Sequence, residues 1–138
     1  MKRRCPGELL QFVEMLCTDK IEFGGNITPM NTREQIHALS EKMLENLGKL
    51  VAVDSQLGTP SEGKPFGEGP AEALEIGLEI ARELGFKTVN LDNYCGYAEM
   101  GEGAEIVGIA GHLDIVPVGG DWTYDPFKLT RDGDHVYG

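Results

Sequence analysis

Ile106-Val107-Gly108-Ile109-Ala110-Gly111-His112-Leu113-Asp114-Ile115-Val116-Pro117 is the stretch on which the fold reading turns. Ile106 to Ala110 is a short apolar, β-branched run of the kind that makes a buried central strand. It delivers Gly111, His112 and Asp114 at its C-terminal end, where open α/β sheets place their chemistry. Side chains alternate along an extended segment, so His112 and Asp114 leave the backbone on one side and Leu113 on the other. An imidazole and a carboxylate so placed can meet. Gly111 admits another backbone or a ligand, and Pro117 ends ladder hydrogen bonding. The pattern suits a metal-binding His whose second ring nitrogen is held by a carboxylate, a pairing that fixes the tautomer and raises ligand basicity. A bare His-x-Asp is equally what a core histidine beside a turn-starting aspartate looks like, so the surroundings have to decide.

Upstream, the sequence reads as two helices and a hairpin. Thr32, with Gln35 three residues on, is a capping-box start, and Ile36, Leu39, Met43, Leu44 and Leu47 recur at helical spacing to predict one buried stripe. Val53-Asp54-Ser55 ends this element. Gly58 to Gly69 is a Gly/Pro/Ser-rich loop, and Pro70 opens a second helix to about residue 84, with Ala73, Leu74, Gly77, Leu78, Ala81 and Leu84 as its buried stripe and Gly85 as its stop. Phe86 to Leu91 alternates as a strand, Asp92-Asn93 is a turn, and Tyr94 to Glu99 is the hairpin partner. Residues 128–130 and 135–137 flank a second turn signal, Asp132-Gly133. Residues 1–30 stay an unassigned extension: Leu9, Leu10, Phe12, Val13 and Leu16 suggest a turn or two of amphipathic helix, broken at Phe23-Gly24-Gly25-Asn26. Met30 is an alternative start.

Composition excludes several function classes. Twelve basic against twenty-three acidic residues give a net charge of −11, which argues against nucleic-acid or anionic-membrane partners. No apolar run approaches the roughly twenty residues that span a bilayer. Met1-Lys2-Arg3-Arg4 starts like a signal peptide, but Glu8, Glu14, Asp19 and Lys20 interrupt what should be its apolar core, and a cytoplasmic location is expected. Cys5, Cys17 and Cys95 are odd in number and widely spaced, which predicts free reduced thiols, with Cys95 a small buried hydrophobe. Gly67-x-Gly69 lacks a preceding strand and a third glycine, and Glu68 would repel phosphate, so it is not read as a nucleotide loop. Glu99, Glu102 and Glu105 flank turns and read as a solvated face. His37 lies off its helical stripe and His135 lies on a hairpin; neither is read as a ligand.

The residues after Asp114 change the odds for His-x-Asp. Val116-Pro117-Val118-Gly119-Gly120-Asp121-Trp122, then Pro126-Phe127, then Asp132-Gly133 and Tyr137-Gly138, resembles the dizinc exopeptidase family of aminoacylase, carboxypeptidase G and succinyl-diaminopimelate desuccinylase. Members read Gly-His-x-Asp-x-Val-Pro, a small loop, Trp, a Pro-Phe pair and an Asp-Gly hairpin ending in Tyr-Gly. Val53-Asp54-Ser55 is similar to the exit of the family's first helix. The series Pro65-Phe66-Gly67-x-Gly69, Ala73-Leu74 and Leu84-Gly85-Phe86 is similar to the bacterial dipeptidases called peptidase V. Residues 1–30 are not covered.

The resemblance implies an α/β fold: residues 31–138 as the N-terminal part of a zinc-exopeptidase (phosphorylase/hydrolase-like) catalytic domain, with helices packed on a mixed sheet and the lid or dimerisation domain absent. It implies hydrolysis of dipeptides through water activated by two zinc ions, with manganese or cobalt as other candidate metals. His112 would ligate one metal and Asp114 would be the catalytic residue that orients it. The family's bridging Asp, Glu-Glu pair, further acidic ligand and distant His have no counterpart here, so this length of chain is expected to be inactive alone and marginal or homo-oligomeric, with an exposed apolar sheet edge. Trp122 would lie near the substrate mouth, or else pack its loop on the core. Deacylation or desuccinylation of N-acyl amino acids, and a non-catalytic relic or binding module, are the alternatives.

Overall fold

The computed structural model describes residues 32–138. Residues Lys42–Gly138 form one compact unit. The predicted 1–30 extension and its amphipathic turns lie outside the described residues. Among the described residues two helices and four short strands come in order: α1 (Thr32–Val51), α2 (Glu68–Glu83), β1 (Lys87–Leu91), β2 (Cys95–Glu99), β3 (Thr130–Asp132) and β4 (His135–Tyr137). The architecture is α/β, with two separate two-stranded antiparallel sheets, β1-β2 and β3-β4, in place of the predicted mixed sheet.

The apolar stripe of α1 is not a core face; the start predicted at Thr32 lies at the edge of the described residues. Leu39, Met43 and Leu47 are 56%, 57% and 42% exposed. A period of 3.6 creates an apolar face; burying it requires a second surface. Near its C-terminal end a Cβ built on Gly48 would meet the Leu129 side chain, in the segment before β3, at 3.7 Å.

The helix α2 begins two residues before the predicted proline, after Gly67 at φ 95°, so Pro70 sits in the first turn, where its missing N–H costs nothing. Its C-terminus is a Schellman motif. Leu84 is the cap, Gly85 follows at φ 91°, the Phe86 amide donates to the Ala81 carbonyl and the Gly85 amide to the Arg82 carbonyl, both at 3.0 Å. The buried side chains Ala71, Ala73 and Leu78 lie on this helix.

The β1-β2 hairpin packs on α2. Its register runs from Lys87↔Glu99 to Leu91↔Cys95, around a turn in which Asp92 and Asn93 both have positive φ and the Tyr94 amide donates to the Leu91 carbonyl at 3.0 Å. Gly96 faces the helix: a Cβ there would come within 3.1 Å of both Leu74 Cδ1 and Leu78 Cδ1. Strand alternation then turns the neighbours of Gly96 away, and Cys95, predicted to be buried, is exposed and free. Asn93 Nδ2 donates to the Gly63 carbonyl at 2.8 Å and Phe66 meets Tyr94 edge-on at 5.6 Å, tying the 58–67 loop to this turn.

In β3-β4, Asp132 pairs with His135, so the two-residue loop is Gly133-Asp134, with Gly133 at φ 59°, one residue later than predicted. The Tyr124 hydroxyl donates to Asp132 Oδ2 at 3.0 Å, and this bond, with the adjacent carboxylate charge, holds the Tyr124 phenol above its usual range.

The largest departure from expectation is in the apolar run before His112. Residues 106–110 form no strand, and Ile106, Val107 and Ile109 are 91%, 83% and 80% exposed. A strand exists only when its N–H and C=O groups meet those of a neighbour, and no described segment pairs with these residues. The residues beyond them are anchored. Gln56 and Ile115 form an isolated parallel bridge.

Candidate functional site

His112 and Asp114 sit where an unpaired segment becomes attached to the rest of the fold. The attachment is made from Ser55, only 2% exposed, at the exit of α1. Its hydroxyl donates to the Leu113 carbonyl at 2.8 Å, and its carbonyl accepts the Ile115 amide at 3.4 Å. Ser55 is itself fixed by its amide, which donates to the Val53 carbonyl at 2.9 Å, and Gln56 Nε2 closes the corner on Asp54 Oδ1 at 2.8 Å. Two glycines of α2 allow this corner to form against the helix. A Cβ on Gly69 would lie 1.9 Å from the Asp54 carbonyl oxygen, and one on Gly77 would lie 2.9 Å from Leu113 Cδ1.

Alternation does the rest. Leu113 and Ile115 are 39% and 37% exposed, whereas the side chains of His112 and Asp114 are 81% and 68% exposed. The two predicted site residues therefore leave the backbone together, on the open side. His112 Nδ1 lies 3.0 Å from the Asp114 backbone carbonyl and 3.5 Å from its carboxylate Oδ1. A carbonyl oxygen can only accept, so the geometry assigns the proton to Nδ1. In the neutral ring Nε2 then carries the free lone pair, the form in which imidazole binds a metal. The sequence alone predicts the carboxylate on the ring; the backbone carbonyl of the same residue is the nearer partner.

A zinc site needs three or four protein ligands. Among the described residues no group of three or more His, Cys, Asp or Glu side chains could hold a metal ion, so His112 fits one corner of such a site and the described donor set does not complete it. A cavity of about 450 Å³ lies elsewhere: it is lined by Lys64, Glu68, Glu72, Asn90 and neighbouring residues and includes neither His112 nor Asp114. Trp122 is half-exposed, and its indole N–H donates to the Val118 carbonyl at 3.1 Å, clipping its own loop. His37, His135, Glu99, Glu102 and Glu105 are exposed, as expected. Among the described residues no helix is long and apolar enough to cross a membrane.

Known proteins give this geometry a context. The chain is 39% identical over 112 residues to the Beta-Ala-Xaa dipeptidase of Lactobacillus delbrueckii subsp. lactis, a match covering 79% of this chain and 24% of the relative. It is 36% identical over 110 residues to "Putative dipeptidase YtjP" of Bacillus subtilis, covering 78% and 24%. The chain is homologous to these bacterial dipeptidases over more than three quarters of its length. A Staphylococcus aureus homologue with a dipeptidase name is 35% identical over 104 residues, which is 72% of this chain and 22% of the homologue. The chain thus spans about a quarter of the length of the curated dipeptidases it matches. No protein-family model matches it.

Sequence reasoning passed over what holds the dipeptidase-like His-x-Asp in place. Ser55 entered only as part of a helix exit, and Gly77 only as a member of an apolar stripe. The available signal was the cost of glycine inside a helix, roughly 1 kcal/mol against alanine, which makes Gly69 and Gly77 worth reading as sites of close approach.

Proposed function

We propose that this sequence serves a zinc-dependent dipeptidase, in which His112 ligates one metal ion and Asp114 orients it. The observation that carries the reading is the exposed His112-Asp114 contact at an anchored corner, in a chain homologous to bacterial dipeptidases. His112 would hold one such ion, and zinc, manganese or cobalt there would supply Lewis-acid polarisation of a carbonyl and an acidified water. The contribution of this chain is one preorganised ligand. The Nδ1 proton is held on the Asp114 carbonyl, the Asp114 carboxylate stands beside it at 3.5 Å, and Nε2 is left without a proton in the neutral ring. The remaining ligands and the general base are supplied by residues outside the described ones, and the substrate is a dipeptide handled in the cytoplasm.

The test is an assay of the full-length protein on β-alanyl and ordinary dipeptides, with chelation and restoration by zinc, manganese or cobalt. His112→Ala should lose metal-restored turnover by more than about 1,000-fold, and Asp114→Ala about 10- to 100-fold, as for an outer-shell partner of a metal ligand. Undiminished turnover by His112→Ala would end this reading. Turnover of N-acyl amino acids with no turnover of dipeptides would move the substrate to the deacylase class.

A further inference from the structure

We propose that Ser55 is a positioning residue for the His112-Asp114 pair. Its hydroxyl and carbonyl take hold of Leu113 and Ile115, the two residues that alternate with His112 and Asp114. Fixing the backbone at these two points sets the direction of both functional side chains without touching either. The 2.8 Å bond from Ser55 Oγ to the Leu113 carbonyl joins residues 58 positions apart. Upstream of it, residues 106–110 pair with no described segment, so this bond and the Gln56↔Ile115 bridge are what bring the site onto the folded unit. Ser55 is also the most deeply buried side chain of that unit, at 2% exposure, and its N–H, carbonyl and hydroxyl each have a partner. A buried serine that uses every polar group is not a surface filler.

The anchoring stands on its own; its effect on turnover rests on the dipeptidase reading. In an extended segment a lost anchor lets the backbone turn about its own axis, and the imidazole moves with it. A displacement of that kind costs catalysis steeply while leaving remote substrate contacts alone.

The test uses Ser55→Ala and Ser55→Cys in the full-length protein, read by hydrogen exchange and by kinetics. In Ser55→Ala the peptide covering residues 111–117 should exchange about 5- to 10-fold faster, the scale of one lost hydrogen bond, with α2 and the β1-β2 hairpin unchanged. kcat should fall about 10- to 100-fold with KM within about twofold, and Ser55→Cys, which keeps a weak donor, should fall between. Unchanged exchange at 111–117 would overturn the proposal, and so would faster exchange of equal size across α2 and the hairpin, which marks general loosening. If the unmutated protein hydrolyses no dipeptide, the dipeptidase reading fails and the exchange result alone decides whether Ser55 is the anchor.

Discussion

Two segments of this chain could hardly differ more in composition and fate. The corner at 53–56 contains Asp54, Ser55 and Gln56, and it holds the most buried residue of the described unit; the run at 106–110 is wholly apolar but for glycine, and Ile106 is 91% exposed. Hydrophobicity measures what a segment would gain by burial, but whether it is buried depends on a partner surface and on partners for its backbone. The corner has both: Gly69 brings the first turn of α2 against Asp54 and Ser55, and the peptide groups around Ser55 bond to Val53, Leu113 and Ile115. The apolar run has neither among the described residues. His112 and Asp114 lie between these regimes, two residues past the free run and straddling the anchored one.

The comparison breaks most readily at Gly69. Alanine there would place a methyl 1.9 Å from the Asp54 carbonyl oxygen and 3.2 Å from the Ser55 Cα. Backbone cannot swing aside as a side chain can, so the corner must open. Gly69→Ala should cost about 3 kcal/mol in urea unfolding, the upper part of the range for overpacking. A cost under about 0.5 kcal/mol would mean that α2 does not seat on the exit of α1 as described. A smaller loss is expected at Gly85, where the conflict is conformational. At φ 91° an alanine is strained whatever the space around it, and a Cβ there meets nothing within 4 Å. Gly85→Ala should cost about 1 to 2 kcal/mol, from disfavoured backbone alone, and an unchanged melting midpoint would remove the Schellman cap as the reason α2 stops.

These two glycines also show how far the sequence could be read. Gly85 was legible because its meaning is local: a helical stripe ends and a glycine follows. The turn at Asp92-Asn93 was legible for the same reason, since both residues tolerate positive φ and a strand pattern stands on either side. The relation of His112 to Asp114 followed from the period of two in extended chain. Gly69, Ser55 and Gly96 were not legible, because each matters through a residue distant in sequence, and nothing within a few positions of Ser55 points to Leu113. The burial of Cys95 was misjudged on composition; β2 turns Gly96 to α2, where Leu74 and Leu78 approach, and Cys95 beside it points away. The fate of residues 106–110 was the hardest to read, since an apolar run reports a strand's readiness to be covered and carries no information on the surface that would cover it.

The smallest expected effect is therefore also the sharpest. If Ile106 is as free as its 91% exposure indicates, then Ile106→Thr in the 138-residue chain removes almost no buried area. Its unfolding free energy should move by less than about 0.5 kcal/mol, the scale of an ordinary surface substitution. Burial of that side chain would instead contribute about 2 kcal/mol, and threonine would forfeit most of it. A loss of that size would place a second surface over the run and dissolve the contrast with the corner at Ser55. It would also change the account of the site, because His112 would then be held from both ends, by a strand behind it and by Ser55 ahead of it. With Ile106 free, His112 is held only from the downstream side, through the bonds of Ser55 to Leu113 and Ile115 and the seat of Leu113 against Gly77, and no apolar residue of the 106–110 run shares in the positioning.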